Sequence, residues 1–274
     1  MIMNDNKNKI RDKILKLSLQ RHSDFSVFYD IFVEQEYPNL NSRIKSGDYV
    51  IDAGANIGMF TVAASTIVGD AGHVISIEPD PDNLALLLEN LKLNNLKNVT
   101  VVNKALYCSG NEKVHFHSQG GLSKIVPITE NHDSDLISVE TTTLDDLLTE
   151  FKIKPNVMKM DIEGGEKYAF LKAEDAMNKI NRFWIEIHSK EDLNALLKFN
   201  RQFSIIKEKI RSNHNSLKFA INHPMKTFNL EYHNRFRATK RVISTIRPNH
   251  FGEDITGIYY GERNTSCPVE DKSL

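Results

Sequence analysis

The sequence predicts an α/β protein built on a mostly parallel sheet, and three observations carry that prediction. Short apolar runs of strand length recur at 48–53, 73–78, Val99–Val102 and Val157–Met160. Stretches with helical spacing of apolar residues separate most of them, the alternation that assembles parallel sheets from βαβ units. The first run leads into Asp52-Ala53-Gly54-Ala55-Asn56-Ile57-Gly58 and then a helix-like segment. A buried strand, a glycine-containing turn and a helix form the nucleotide-binding device of such folds, because glycine lets backbone approach a ligand with no Cβ in the way.

Residues 5–22 place Ile10, Ile14 and Leu17 on one stripe with Lys and Arg opposite. That spacing predicts an amphipathic helix packed on the domain edge rather than one lying on a membrane. The aromatic stretch 25–37 (Phe25, Phe28, Tyr29, Phe32, Tyr37) is expected to cover one end of the sheet or wall a pocket. From 44 onward the alternation is regular: strand 48–53, helix 57–68, strand 73–78, helix 81–94, strand Val99–Val102. The second helix has Asp80 as N-cap, Pro81 in its first turn, and Leu84, Leu87, Leu88 and Leu91 as its apolar stripe. These elements predict a right-handed βαβαβ unit with ligands at the carboxyl ends of the strands.

Between 107 and 143 the helical pattern stops. Lys113–His117 and 137–142 alternate like strands around a loop with Gly120 and Gly121, which predicts an inserted β-hairpin beside the pocket. Thr143 caps a short helix. After Val157–Met160 a helix runs to about 172; strand 183–187 carries Trp184 and Glu186, and His188 follows it. A helix at 190–199, a strand at 203–207 and an antiparallel strand at 258–260 close the series. The stretch 218–247 is read as a lid or substrate arm. The expected organisation is an N-terminal helix and cover over 1–44, a ligand-binding domain over 45–210, and an extension over 211–274 that completes the sheet or forms a lid.

A chain of 274 residues that is 40% hydrophobic and 26% charged is an ordinary globular composition. The net charge of −1 hides a basic block: 198–250 holds twelve Lys or Arg against two acids, Glu208 and Glu231. Such a block is either a solvated surface or a site for nucleic acid, an anionic sugar or a membrane. Cys108 and Cys267 have neither a disulfide framework nor a metal-ligand spacing. With a polar and charged 1–11, they suit a cytoplasmic protein without a signal peptide. The run 49–69 holds one charge, but Asp52, Asn56 and three glycines interrupt it, and strand plus helix explains it better than a membrane span.

Glu78 ends the second strand 24 residues after Gly54, close to the spacing of an acid that holds ribose hydroxyls. The turn is D-x-G-x-x-x-G, not the G-x-G-x-x-G of dinucleotide sites. An acid before the first glycine would repel a pyrophosphate, but it suits a cofactor bearing an ammonium and a sulfonium. The residues therefore point to S-adenosylmethionine (SAM) rather than NAD.

Several motifs in order resemble the FkbM-type SAM-dependent methyltransferases. They are Val50-Ile51-Asp52-Ala53-Gly54-Ala55-Asn56-Ile57-Gly58, then Glu78-Pro79-Asp80-Pro81-Asp82-Asn83 with Leu88-Glu89-Asn90-Leu91. Asn103-Lys104-Ala105-Leu106, Thr142-Thr143-Leu144-Asp145-Asp146-Leu147, Lys159-Met160-Asp161-Ile162-Glu163-Gly164-Gly165-Glu166 and Ile185-Glu186-Ile187-His188 continue the series. The likeness spans about residues 25–200. It implies a Rossmann-like class I methyltransferase sheet, mostly parallel with one antiparallel strand, carrying SAM across its carboxyl edge. It also implies methylation of a hydroxyl on a sugar, glycan or other small metabolite.

On that frame Asp52 is expected to face the methionine end of SAM, or else to cap the turn amides. Gly54, Asn56 and Gly58 shape the turn, and Glu78 accepts from the ribose hydroxyls with Asn83 in support. Lys104 and Ala105 line the adenine. Asp161 lies beside the transferred methyl, and Glu186 and His188 end the neighbouring strand. His188 is expected to act as base with Glu186 orienting it; alternatively Asp161, Glu186 and His188 hold a divalent metal. Glu163 and Glu166 are read as acids that converge there or simply start the helix. No Asn/Asp-Pro-Pro-aromatic motif follows the fourth strand, which favours an oxygen acceptor over a nitrogen one. RNA as the acceptor, through the basic block, and a non-catalytic SAM-binding protein are the competing readings. The oligomeric state is left open.

Overall fold

The apolar runs pair into one twisted sheet whose two faces are both covered. The computed structural model describes residues 15–33, 35–117, 124–126, 136–209, 242–245 and 257–264. Strand β1 (Tyr49–Ala53) lies between β2 (His73–Ile77) and β8 (Val157–Met160), parallel to both. Beyond β2 lies β3 (Val99–Val102), and beyond β8 lies β9 (Arg182–Ile187), also parallel. Then come β12 (Gly257–Arg263), β10 (Phe203–Lys209) and β11 (Val242–Thr245), completing the order β11-β10-β12-β9-β8-β1-β2-β3.

Neighbouring residues of one strand serve opposite faces. Ile51, Ile75, Met158, Ile185 and Tyr259 pack on one side, against α5 (Leu144–Phe151), α7 (Glu174–Lys179) and α8 (Lys190–Leu197). Val50, Val74, Val157, Trp184 and Tyr260 pack on the other, against α3 (Met59–Val68) and α4 (Pro81–Leu93). A sheet buried on both faces needs apolar residues at nearly every position, which is why the strands read as continuous apolar runs. Asp80 caps α4, its side chain accepting from the amides of Asp82 and Asn83. Thr143 caps α5, accepting from the Asp146 amide.

Three expectations need correction. The sheet holds two antiparallel strands, not one. β12 runs antiparallel between β9 and β10, and β11 adds a second at the edge, with Lys209 opposite Val242. Val242-Ile243-Ser244-Thr245 lies inside the stretch read as a lid, but its β-branched residues suit the open edge of β10. The rest of 218–247 lies outside the described residues, as does most of the basic block.

The N-terminal helix is the second. Residues 1–14 lie outside the described residues, and 15–20 are not helical. Leu15, Leu17 and Leu19 alternate and pack against the α3/α4 side of the core. The amides of Lys16 and Ser18 donate to the side chains of Asn94 and Asn90 at 2.8 and 2.6 Å. Asn90 in turn donates to the Ile57 carbonyl at 2.8 Å, so α4 ties this segment to the turn before α3. Helix begins only at α1 (His22–Phe28), continues as a wide turn over Tyr29–Val33, and is followed by α2 (Leu40–Arg43).

The third is the insertion, where 113–117 and 137–142 pair antiparallel as expected but within a four-stranded sheet. β4 (Ala105–Leu106), β5 (Lys113–His117), β6 (Lys124–Val126) and β7 (Leu136–Thr142) lie in the order β4-β7-β5-β6. Ala105, Val114 and Val139 form its own apolar cluster. The loop with Gly120 and Gly121 lies outside the described residues. No helix among the described residues is long and apolar enough to cross a membrane.

Candidate active site at the carboxyl ends of the strands

A cavity of about 230 Å³ opens where β1, β2, β8 and β9 end. Its floor is the turn after β1. Gly54 has φ +71°, and a Cβ there would stand 1.7 Å from the Asp161 carbonyl oxygen. Glycine is required because the loop after β8 crosses at van der Waals contact with bare backbone. The Gly54 and Ala55 amides both donate to the Ile77 carbonyl at 3.0 Å, locking this turn to the end of β2. Gly58 does not line the cavity. It starts α3 at φ +83°, where a Cβ would press on Leu87 at 3.1 Å, so its role is close packing of α3 on α4.

At one end of the cavity stands Glu78, nearly buried at 4% exposure. Its Oε2 accepts from the Asn56 amide at 2.6 Å. Its Oε1 accepts from the Asp80 amide at 2.9 Å and from Asn83 Nδ2 at 3.5 Å. Asn83 is held by Arg21 Nη2 at 2.7 Å, and Arg21 by Asp24 at 3.0 Å. Burial pushes the Glu78 carboxyl up to about 7, with the Asp80 and Asn56 amides offsetting part of that cost. A carboxylate has about four lone-pair directions, so these donors leave it acceptor capacity on the cavity side. Lys104, Ala105, Leu106 and Ile77 line the same end. Lys104 Nζ lies 3.9 Å from Glu140 of the inserted sheet.

Asp52 is not at the cavity. Its carboxylate is fully buried, accepts from Thr61 Oγ1 at 2.5 Å, and lies 3.5 Å from Lys159 Nζ. Burial raises its pKa, and Lys159 and Thr61 pull against that rise. The group that reaches the cavity is Lys159, whose Nζ donates to the carbonyls of Gly54 at 2.6 Å and Ala53 at 3.3 Å. Burial lowers the Lys159 pKa, but Asp52, Asp161, Glu36 and Glu186 outweigh it and the ammonium is kept charged. Lys159 went unassigned in the sequence reading, although the signal was there. It is a lone cation inside a buried strand, and Asp52 is its register partner on β1.

The other end is acidic. Asp161 and Glu163 follow β8, Glu186 lies on β9, and all three line the cavity. Asp161 Oδ2 accepts from the Tyr37 hydroxyl at 3.5 Å, while its Oδ1 is buried with no hydrogen-bond partner. His188 Nε2 faces Glu163, Asp161 and Glu186 at 3.6, 3.8 and 4.0 Å. Its Nδ1 lies 3.4 Å from Oε1 of Glu166, a fully buried acid that accepts the Ile162 amide at 2.9 Å. Glu166 therefore does more than begin α6 (Glu166–Ala169). Val27, Asp30, Ile31, Glu36 and Tyr37 close the cavity from the N-terminal segment, and Tyr37 is the one aromatic of that stretch in its lining. Glu36 was not singled out, because acids scattered among aromatics carry no spacing signal.

Crowding sets the protonation here. Burial, then Asp161 and Asp30, push Glu36 up to about 8. Burial, then Asp161 and Glu36, push Glu186 up to about 9. Burial and Asp161 push Glu163 up to about 7. Burial pulls His188 down, but Glu166, Asp161 and Glu186 outweigh it and raise it to about 9. With only protein groups around it, that upward shift favours the imidazolium form of His188 at neutral pH.

The family model described as "Methyltransferase FkbM domain" matches residues 52–217. The hexuronic acid methyltransferase AglP of Haloferax volcanii is 28% identical over 160 residues, which is 56% of this chain and 61% of that protein. The crystal structure of methyltransferase FkbM from Methylobacillus flagellatus KT is 23% identical, with a TM-score of 0.46. That match covers 63% of this chain and 43% of the other. The chain thus spans less than two thirds of either protein. The family model covers more than half of the chain, in the order of motifs that surrounds the cavity, and the chain belongs to the FkbM methyltransferase domain family.

Proposed function

We propose that the chain transfers a methyl group from SAM to a hydroxyl of a sugar or other small polar metabolite. One observation carries this reading. A single cavity joins an acceptor carboxylate at the end of β2, Glu78, to the side chain of Asp161 after β8, with Glu163 and Glu186 beside it. The first suits ribose hydroxyls and the second suits an acceptor hydroxyl. The residues fit SAM: Glu78 for the ribose, Ile77, Ala105 and Leu106 beside the ring, and Gly54 to Asn56 against the amino-acid end. SAM, when bound, supplies an electrophilic methyl on a sulfonium. The similarity to a protein named for methylating a hexuronic acid supports a sugar acceptor.

Methyl transfer is an in-line displacement, so the chain must align the hydroxyl, exclude water and accept its proton. Asp161 lines the cavity with an unpartnered oxygen and accepts the acceptor's hydrogen bond. His188 Nε2 stands 3.8 Å from its Oδ1. Asp161→Asn is expected to lower kcat roughly 100- to 10,000-fold, the span of general acid–base contributions. Labelled SAM with uronic acids, neutral sugars and RNA fragments as acceptors tests the reading. Transfer to nitrogen alone, to RNA alone, or at wild-type rate in Asp161→Asn would overturn it.

SAM affinity should depend on pH through Glu78. Its carboxyl is neutral below about 7 and ionised above, and the ionised form accepts from both ribose hydroxyls. Affinity is therefore expected to rise with pH toward about 7, by up to about tenfold per unit for one linked proton, and then level off. Glu78→Gln is expected to weaken SAM roughly 10- to 100-fold and to abolish that slope. Calorimetry across pH is the measurement.

A further inference from the structure

We propose that Asp161, Glu186 and His188 hold a divalent metal ion of the Mn²⁺ type, with Glu163 within reach as a further donor. The three residues present ligand atoms that all lie within 4.8 Å of one another. His188 Nε2 stands 3.6 to 4.0 Å from an oxygen of each of Glu163, Asp161 and Glu186. Those gaps are too long for hydrogen bonds. Donors about 2.1 Å from a shared ion stand roughly 3 to 4 Å apart, so the spacing is that of ligands around a missing centre.

Three further features favour an ion over a plain acidic cluster. Asp161 Oδ1, one of the facing atoms, is buried and without a hydrogen bond. Glu36 lines the same cavity and brings a further carboxyl group to that space. His188 points Nδ1 at the fully buried Glu166 at 3.4 Å. A carboxylate on the outer nitrogen is the arrangement that orients a metal-binding imidazole and presents its other nitrogen as the ligand.

The charge balance points the same way. Glu36, Asp161, Glu163 and Glu186 face one small space, and Lys159 is already engaged with Asp52 and the Gly54 carbonyl. Imidazole with carboxylates suits Mn²⁺, Fe²⁺ or Zn²⁺ better than Mg²⁺ or Ca²⁺, which favour all-oxygen sets. Binding of the ion is independent of methyl transfer. Its use rests on the proposed function: the ion would hold the acceptor hydroxyl and admit an acidic sugar into an otherwise repulsive cavity.

The test is titration of the chelator-treated full chain with MnCl₂, by calorimetry and by loss of the free Mn²⁺ paramagnetic resonance signal. The expected result is one ion per chain. His188→Ala and Glu186→Gln should each weaken uptake at least about tenfold while keeping the wild-type circular dichroism. No uptake by the wild-type chain overturns the site without reference to any variant. So does uptake that is unchanged in both variants. A chelator-treated protein that transfers methyl at full rate overturns the ion's role and leaves the methyltransferase reading standing. Uptake lost in the variants, with no transfer from SAM to any acceptor, supports the site and sinks that reading instead.

Discussion

Replacing Lys159 with methionine is expected to cost about 3 to 5 kcal/mol of stability, the usual penalty for removing one member of a buried ion pair. Lys159 and Asp52 are 5% and 0% exposed and lie opposite each other on adjacent central strands. Without the ammonium, Asp52 keeps only the Thr61 hydroxyl. Burial already raises the Asp52 pKa with Lys159 in place, so the variant raises it further. The sign follows from proton linkage. A carboxyl with a raised folded pKa binds a proton that the unfolded chain has released above about 3.8. The variant therefore loses stability as pH rises from there through the folded value, and its deficit is larger at pH 8 than at pH 5 by this linkage. Urea denaturation at both pH values reads the effect. Asp52→Asn added to Lys159→Met should recover part of the loss, since it removes the stranded charge. Wild-type stability of the single variant would refute the account.

Gly54→Ala should be nearly as damaging, and its damage should fall on the cavity. An alanine at φ +71° carries about 1 to 2 kcal/mol of left-handed strain. Its Cβ would also stand 1.7 Å from a main-chain oxygen, that of Asp161, which no rotamer change can relieve. Overpacking of this kind costs about 1 to 3 kcal/mol, so a total near 2 to 5 kcal/mol is expected. The two turns must part, and their parting displaces Asp161 and the Gly54 carbonyl that holds Lys159. Chemical denaturation measures the first effect and SAM calorimetry the second. Gly58→Ala serves as the comparison, because its clash is with the Leu87 side chain, away from the cavity. It should lower stability and leave SAM affinity nearer to wild type.

The parts of this fold legible in the sequence are those where local pattern and tertiary role agree. β1, β2, β3 and β8 read as short, mainly apolar runs because they sit in a sheet packed between helices, and α4 announces itself through Asp80, Pro81 and its leucines. The N-terminal segment misleads because Leu17 belongs to two patterns at once, the helical stripe of Ile10 and Ile14 and the alternation of Leu15 and Leu19. Only the partners Asn90 and Asn94, more than 70 residues away, decide between them. At the site, Glu78 and Asp161 reach the cavity as their strand-end positions suggest. Asp52 does not, because register with Lys159 turns it into the core, and register is not visible along one strand. The acids crowding His188 come from separate segments, so the protonation of the imidazole could not be read before they were brought together.

The place of β12 has a consequence for biogenesis. It fills the gap between β9 and β10, and it hydrogen-bonds to both, with Tyr260 opposite Trp184 and Ile206. A nascent chain on the ribosome completes β9 and β10 well before residue 257 is made. Until then both carry unpaired edges over largely apolar residues, the kind of surface that recruits other chains. Docking of β12 closes both edges at once, so a chain cut short before residue 257 is expected to aggregate more readily than the full one.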